Sequence, residues 1–436
     1  MDFSSPYALI IEGSVILIIS FFFSEISKRT SIPSVLMLII LGVLIKLGMN
    51  QIGMEDLNLQ GTLEILGIVG LIMIVLEAAL ELKLERSKLV PILLSFGIAL
   101  VGLVLSAWVT AEILYYFIPM FQTEFIINHD GSMINQGKLV AWIYATPLSI
   151  LSSAIIIPSV LELRQDKKEF HIYESTFSDI LGIMLFYFLK GMVITPGAES
   201  QGGIGSFALT TFLTLVVAVV ASYLLVLIFQ KISSQTKLFL LISTLLLIYS
   251  VAKLQHLSSL LIILVFGLVI ANKDIFFVGP LKKWLDKKKA HEIYHGLHTI
   301  TMETAFVVRT FFFVVFGATI VFSTLASWSV FGLSMLCLAV IYVIRFLLLR
   351  LSIGSDIVPQ LYVAPRGLIT ILLFYDIGAD LAVEDFSQGI LLFIIIGTSL
   401  VMTGSLIYDK QRTNKAINKV KATAVSEMKW KIPDIK

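Results

Sequence analysis

Thirteen apolar runs of about membrane-crossing length follow one another along this chain, and they leave few folds open. In hydrocarbon no water satisfies backbone N–H and C=O groups, so a long apolar segment must satisfy its own by folding as a helix. The runs lie near 8–26, 32–49, 61–80, 90–118, 139–160, 171–193, 205–230, 237–253, 257–272, 300–323, 328–350, 356–377 and 387–408. Several exceed the roughly 20 residues a span requires, an excess that tilt absorbs. Composition agrees: 57% of the residues are hydrophobic and 14% charged, with a mean hydropathy of +0.94. A soluble surface needs roughly a quarter charged residues. The expected class is an all-α polytopic membrane protein with about 13 transmembrane helices. The first run lacks a basic n-region and a small-residue cleavage site, so it reads as a retained helix rather than a signal peptide. The single cysteine, Cys337, excludes an internal disulfide.

The net charge of +2 says little, but its distribution orients the chain. Lys28 and Arg29 follow run 1; Lys83, Arg86 and Lys88 follow run 3; Arg164, Lys167 and Lys168 follow run 5. Lys231 and Lys237 flank the loop after run 7, and Lys282, Lys283, Lys287, Lys288 and Lys289 follow run 9. Arg350 follows run 11, and the tail carries Lys410, Arg412, Lys415, Lys419 and Lys421. The alternate loops hold few basic residues, such as Lys46 and Lys138. The positive-inside rule then places the N-terminus outside and the C-terminus in the cytoplasm. Residues 1–408 are expected to form one transmembrane domain, and 409–436 a short basic cytoplasmic tail, solvated or on the membrane surface.

Two runs are interrupted. Run 5 carries Pro147 between Thr146 and Ser149, and run 12 carries Pro365, Arg366 and Gly367 together. Proline removes a backbone bond and clashes with the preceding turn, freeing carbonyls that must find other partners. Runs 5 and 12 are seven apart and so cross in opposite directions. The expected arrangement is a 6+1+6 inverted repeat, with runs 1–6 matched by 8–13 and run 7 as the link. Broken helices in matching positions of two halves point to a midplane transport site.

Run 6 carries two carboxylates, Glu174 and Asp179. A charge at the centre of a membrane helix costs roughly 2.5–3.5 kcal/mol on insertion scales, so such residues are read first as functional. Glu174 and Ser178 share a helix face, with Asp179 one step around. In a partly wet cavity Asp179 can hold a proton or a cation but not both, and that competition suffices to couple two flows. Ser178, Thr146 and Ser149, with the carbonyls freed at Pro147, are candidate neutral ligands for a hard monovalent ion. The bland alternative is a structural acid satisfied by an arginine. Arg366 needs a carboxylate at membrane depth, and Glu174 is the expected partner, a positioning device rather than an ion carrier. Arg309 is expected to pair with Glu77 or Glu303, or to compensate the broken helix ends. Glu81 reads as interfacial, and Arg345, near the cytoplasmic end, as a snorkelling residue. His291, His295 and His298 stand at helical spacing, read here as one face of an amphipathic surface helix rather than a metal site.

Together these residues resemble the monovalent cation/proton antiporter superfamily, on the electroneutral sodium/proton exchanger side. Tyr173-Glu-Ser-Thr-Phe-Ser-Asp179 is similar to that family's Gly-Glu-Ser-x-x-Asn-Asp motif, and Arg366-Gly367 matches its Arg-Gly pair. Phe312 to Gly317 matches its Phe-Phe-x-x-x-Gly stretch, and Leu76-Glu-Ala-Ala-Leu-Glu81 resembles its helix 3 acids. The resemblance implies a homodimer, a dimerisation subdomain interleaved with a mobile core, and alternating access. Two departures stand out. Ser178 replaces the asparagine, and Ala145-Thr146-Pro147 lacks the acid of the family's Ala-Thr-Asp-Pro.

The expected function is a secondary antiporter exchanging Na+ (or K+ or Li+) for H+, one for one, with no enzymatic activity. No cofactor, resident metal or nucleic-acid partner is expected; the partners are the two ions, membrane lipid and a second copy. A compact exchanger of this kind suggests a bacterial plasma (inner) membrane. Two rivals remain: a sodium-coupled organic-anion symporter using Arg309 or Arg366, and a transport-defective or sensing paralogue.

Overall fold

The computed structural model describes residues 6–30, 32–51, 60–84, 88–129, 132–193, 204–234, 236–255, 259–278, 283–284, 286–320 and 327–429. Of the loop residues read above, Arg86 and Lys282 lie outside these. The helices are α1 (Pro6–Thr30), α2 (Ser34–Gln51), α3 (Gln60–Glu81), α4 (Leu89–Phe117), α5 (Gly137–Ser149), α6 (Ser153–Ser159) and α7 (Gln165–Gly191). They continue as α8 (Ile204–Phe229), α9 (Lys237–Leu254), α10 (Ser259–Ala271), α11 (Lys287–Thr319), α12 (Trp328–Ser352), α13 (Leu368–Tyr375) and α14 (Gln388–Lys429). A small antiparallel hairpin, Ile126–His129 with Ser132–Asn135, precedes α5. Nine helical stretches among the described residues are long and apolar enough to cross a membrane, with Ser34–Met49 and Ser259–Ala271 as shorter apolar helices.

Burial separates lipid-facing helices from central ones. In α1 the apolar window is 6% buried, with Ile10, Ile11, Ile18, Phe21 and Phe22 outward, whereas the window over α5 and α6 is 89% buried. Of the nine stretches, the broken one is the most enclosed by its neighbours.

The helices pack as two groups. In one, α4 packs on α5, α7 and α12; α7 on α5, α6 and α13; and α14 on α12. In the other, α11 packs on α2 and α3, α10 on α3, α8 and α9, and α1 on α2. Contact between the groups is sparser, through α3 against α7 and α13 and through α1 against α6. Within the second group α2 and α11 meet backbone to backbone. A methyl added at Gly42 would strike the Val314 carbonyl, and one at Gly317 the Ile39 carbonyl. Small residues that let helix backbones touch are a common membrane packing device.

Two expectations need correction. Run 12 is helical only over Leu368–Tyr375; residues before it form turns and then extended backbone. Pro359 and Pro365 explain this, because each lacks an N–H and pushes the residue before it away from helical backbone. The histidine row is no separate surface helix: His291, His295 and His298 lie in the first turns of α11, which begins at Lys287, well before the predicted 300. Separately, the chain beyond 408 continues α14 in one helix to Lys429.

Candidate functional site

Helix α5 stops at Ser149, and Ile150 and Ser152 adopt extended backbone (φ −75°, ψ 131° and φ −95°, ψ 105°) before α6 begins. Pro147 lies inside α5, just before this break rather than at it. The second break, Val363 to Gly367, passes directly across the first. Ser152 N–H donates to the Pro365 carbonyl at 3.0 Å. A methyl on Gly367 would lie 2.5 Å from Ser152 Oγ and 2.8 Å from Ile155 Cδ1. Glycine is required there by the close crossing of the two chains.

A break leaves N–H and C=O groups without helical partners, and a buried orphan is costly. Helix α7 supplies acceptors for the N–H groups. Ser178 Oγ accepts from Leu151 N–H at 2.9 Å, and Asp179 Oδ2 accepts from Ser153 N–H at 3.2 Å. Asp179 is 2% exposed, and its Oδ1 has no hydrogen-bond partner among the described residues. One turn further, Gly182 lets α7 approach: a methyl there would collide with the Ile150 side chain. The other two candidate hydroxyls bond back along α5, Thr146 to the Trp142 carbonyl at 2.8 Å and Ser149 to that of Ala145 at 2.9 Å. Each keeps lone pairs for a further donor or cation.

Arg366 satisfies two of the freed α5 carbonyls and one in the second break. Its Nε donates to Leu148 O at 3.0 Å, Nη1 to Ala364 O at 2.7 Å and Nη2 to Ser149 O at 3.3 Å. Its own N–H is held by Thr398 Oγ1 at 3.0 Å. The guanidinium thus sits at the negative end of α5, where a permanent cation is favoured.

The expected Glu174–Arg366 pair does not form. Glu174 is held bidentately by Arg345, with Nη1–Oε1 at 2.6 Å and Nη2–Oε2 at 2.8 Å, both side chains buried. Arg345 also donates to the carbonyls of Gln360 and Val363, the latter at 3.1 Å, so it ties α7 and α12 to the stretch leading into the second break. Five residues separate Arg345 from Arg350, which places them about 140° apart around the helix. That offset was the available signal: Arg350 is exposed, and Arg345 faces inward.

Of the roles left open for it, Arg309 takes the pairing with Glu77; its second contact is to a carbonyl near the start of α6 that Pro158, having no N–H, leaves free. Nη2 pairs with Glu77 at 3.1 Å, and Nη1 donates to the Ala154 carbonyl at 3.0 Å, just after the first break. Glu303 is exposed and takes no part. One cavity adjoins the crossing and another lies farther along the same helices. The first, of about 30 Å³, is lined by Ser149, Ser178, Glu174, Arg345 and Arg366. The second, of about 580 Å³, opens between the two helix groups, walled by Leu71, Tyr144, Tyr187, Tyr249, Leu372 and Asp376.

The sequence profile of the family described as "Sodium/hydrogen exchanger, transmembrane" matches residues 15–408. The chain belongs to that family. The exchanger's fold is similar to that of the sodium proton antiporter MjNhaP1 from Methanocaldococcus jannaschii. Its pH 8 structure superposes with a TM-score of 0.63 at 18% identity, covering 91% of the exchanger and 95% of MjNhaP1. A structure of MjNhaP1 from an electron-microscopy map gives 0.60 at 18% identity, covering 94% and 97%. At this identity the likeness concerns the fold. No curated protein sequence matches the exchanger.

Proposed function

We propose that this exchanger moves a monovalent cation, Na+ first, against H+, one for one, with Asp179 holding either. The observation that carries the reading is the state of the Asp179 carboxylate. It is buried at the crossing of two broken helices, with one oxygen fixed by Ser153 N–H and the other without a hydrogen-bond partner among the described residues. A proton on the free oxygen or a cation beside it satisfies the same group, so the two compete. Ser178, Thr146 and Ser149 are the candidate neutral ligands. Arg366 keeps its charge throughout, because guanidinium does not release its proton in proteins. With Asp179 as the exchangeable acid, each half-cycle carries one positive charge, which supports electroneutral exchange.

Engagement of both arginines argues against an organic-anion symporter. Arg366 is committed to backbone carbonyls, and both terminal nitrogens of Arg309 are taken by Glu77 and Ala154 O. We place the exchanger as a homodimer in a plasma membrane of bacterial type, working by alternating access.

The test is acridine-dye dequenching in everted vesicles or proteoliposomes, adding Na+, K+ or Li+ to wild type and Asp179→Asn. Cation-triggered proton release that vanishes in the variant is expected. No response to any cation from about pH 6 to 9, around the ordinary titration range of physiological groups, in vesicles holding folded protein, would overturn the reading.

A further inference from the structure

Beside the cavity between the two helix groups, Lys253 reaches from one group to two of the cavity's lining residues on the other, Asp376 and Tyr187. Lys253 lies in the last turn of α9; Asp376 caps α13, and Tyr187 lies on α7 in the opposite group. Lys253 Nζ stands 4.0 Å from Asp376 Oδ1 and 4.9 Å from the centroid of the Tyr187 ring. Asp376 is already held within its own group. Lys190, in the last turn of α7, places Nζ 3.2 Å from Oδ2 and donates to the Asp376 main-chain carbonyl. Lys190 is about three turns along α7 from Asp179, so Asp376 is fixed to the helix that carries the exchanging acid.

Neutralising Asp376 therefore does not require Lys253. What the second ammonium adds is a link from α9 to the opposite group, satisfied by a carboxylate oxygen and a ring face together. Both attractions fall off within a few ångströms, so the link holds at one relative position of the two groups. We propose that Lys253 is a positioning residue for the exchange cycle: it holds the Asp179-bearing group where the 580 Å³ cavity is open, and it lets go when that cavity closes. The role rests on the exchanger reading above. Among the described residues Tyr375 on α13 also bonds Thr319 on α11 at this cavity; two further links lie elsewhere, Arg309 to the Ala154 carbonyl at 3.0 Å and Tyr173 Oη to the Lys83 carbonyl at 3.4 Å. The latter two lie nearer the end with the many basic loop residues, so Lys253 acts at the opposite mouth, beside Tyr375.

The sole cysteine, Cys337, is buried, which leaves a clean background for a reporter. Leu71→Cys places a thiol on the cavity wall, to be labelled in membranes by a membrane-impermeant maleimide, a readout that needs no transport. Adding Lys253→Met is expected to slow labelling about two- to fivefold, the effect of losing a half-exposed ion pair and a ring contact on a two-state equilibrium. Asp376→Asn should slow it too, and Lys253→Arg should keep the parent rate. Unchanged or faster labelling in Lys253→Met, or equal slowing in Lys253→Arg, would overturn the proposal, as would a parent thiol that does not label. Loss of cation-driven exchange in the parent with the labelling pattern intact would count against the exchanger reading alone.

Discussion

Ser152 and Pro365 are joined by a main-chain hydrogen bond of 3.0 Å, which fastens the two broken helices to each other where they cross. Because both partners are backbone groups, side chains control this bond only by letting the chains come close enough to form it. Gly367 is the residue that does so.

Gly367→Ala is expected to push the breaks apart and abolish exchange, with a stability loss of about 1–3 kcal/mol, the usual cost of forced overpacking. Adding Ser152→Gly, which removes the nearest colliding atoms, should recover part of the melting temperature. Thermal unfolding of the single and double variants, alongside dye dequenching, checks this. No difference between them would mean the crossing is looser than described.

Arg345→Met leaves Glu174 buried without its partner and should cost about 3–5 kcal/mol. Glu174→Met in the same chain should restore much of that loss, because an apolar pair needs no mutual compensation. The comparison is made on melting temperatures; a double variant no better than the single would sink the pairing.

Arg366→Lys keeps the charge and loses the fork. At most one of the three directed carbonyl bonds can be replaced by a point ammonium. At about 1 kcal/mol for each lost bond, exchange should fall roughly tenfold or more. Initial rates at saturating cation give the answer, and a wild-type rate would show that charge alone suffices.

Glu77→Gln and Glu303→Gln should separate cleanly. The first unpairs Arg309, which also holds the Ala154 carbonyl beside the break, and is expected to reduce exchange severalfold. The second alters an exposed side chain and should stay within about twofold of wild type, as surface substitutions usually do. Equal losses would place Glu303 in the site after all.

Much of this was legible in the sequence because the bilayer is so restrictive a solvent. Apolar length marked the helices; Pro147 among hydroxyls, and Pro365 with Arg366 and Gly367, marked the broken spans. Acids at Glu174 and Asp179 marked what lies against them. What could not be read was the assignment of arginines to carboxylates. Arg366 needs only carbonyls at the negative end of α5, and nothing local in the sequence distinguishes that from a need for Glu174. Arg345 was hidden by its nearness to the interface, where a long basic side chain usually reaches water. The helical extent of run 12 was overestimated because hydropathy measures solvent preference, whereas Pro359 and Pro365 decide backbone shape.

Gly42 and Gly317 carry a consequence for motion. Where α2 rests on α11 no layer of side chains lies between the backbones, and it is such layers that allow one helix to shear past another. At Gly42 and Gly317 these two segments, far apart in the chain, touch backbone to backbone, which favours their moving as a single piece. A slip plane then runs more readily elsewhere, along the surface where Lys253, Arg309 and the ring of Tyr187 reach between the groups and where every attachment can be undone and remade.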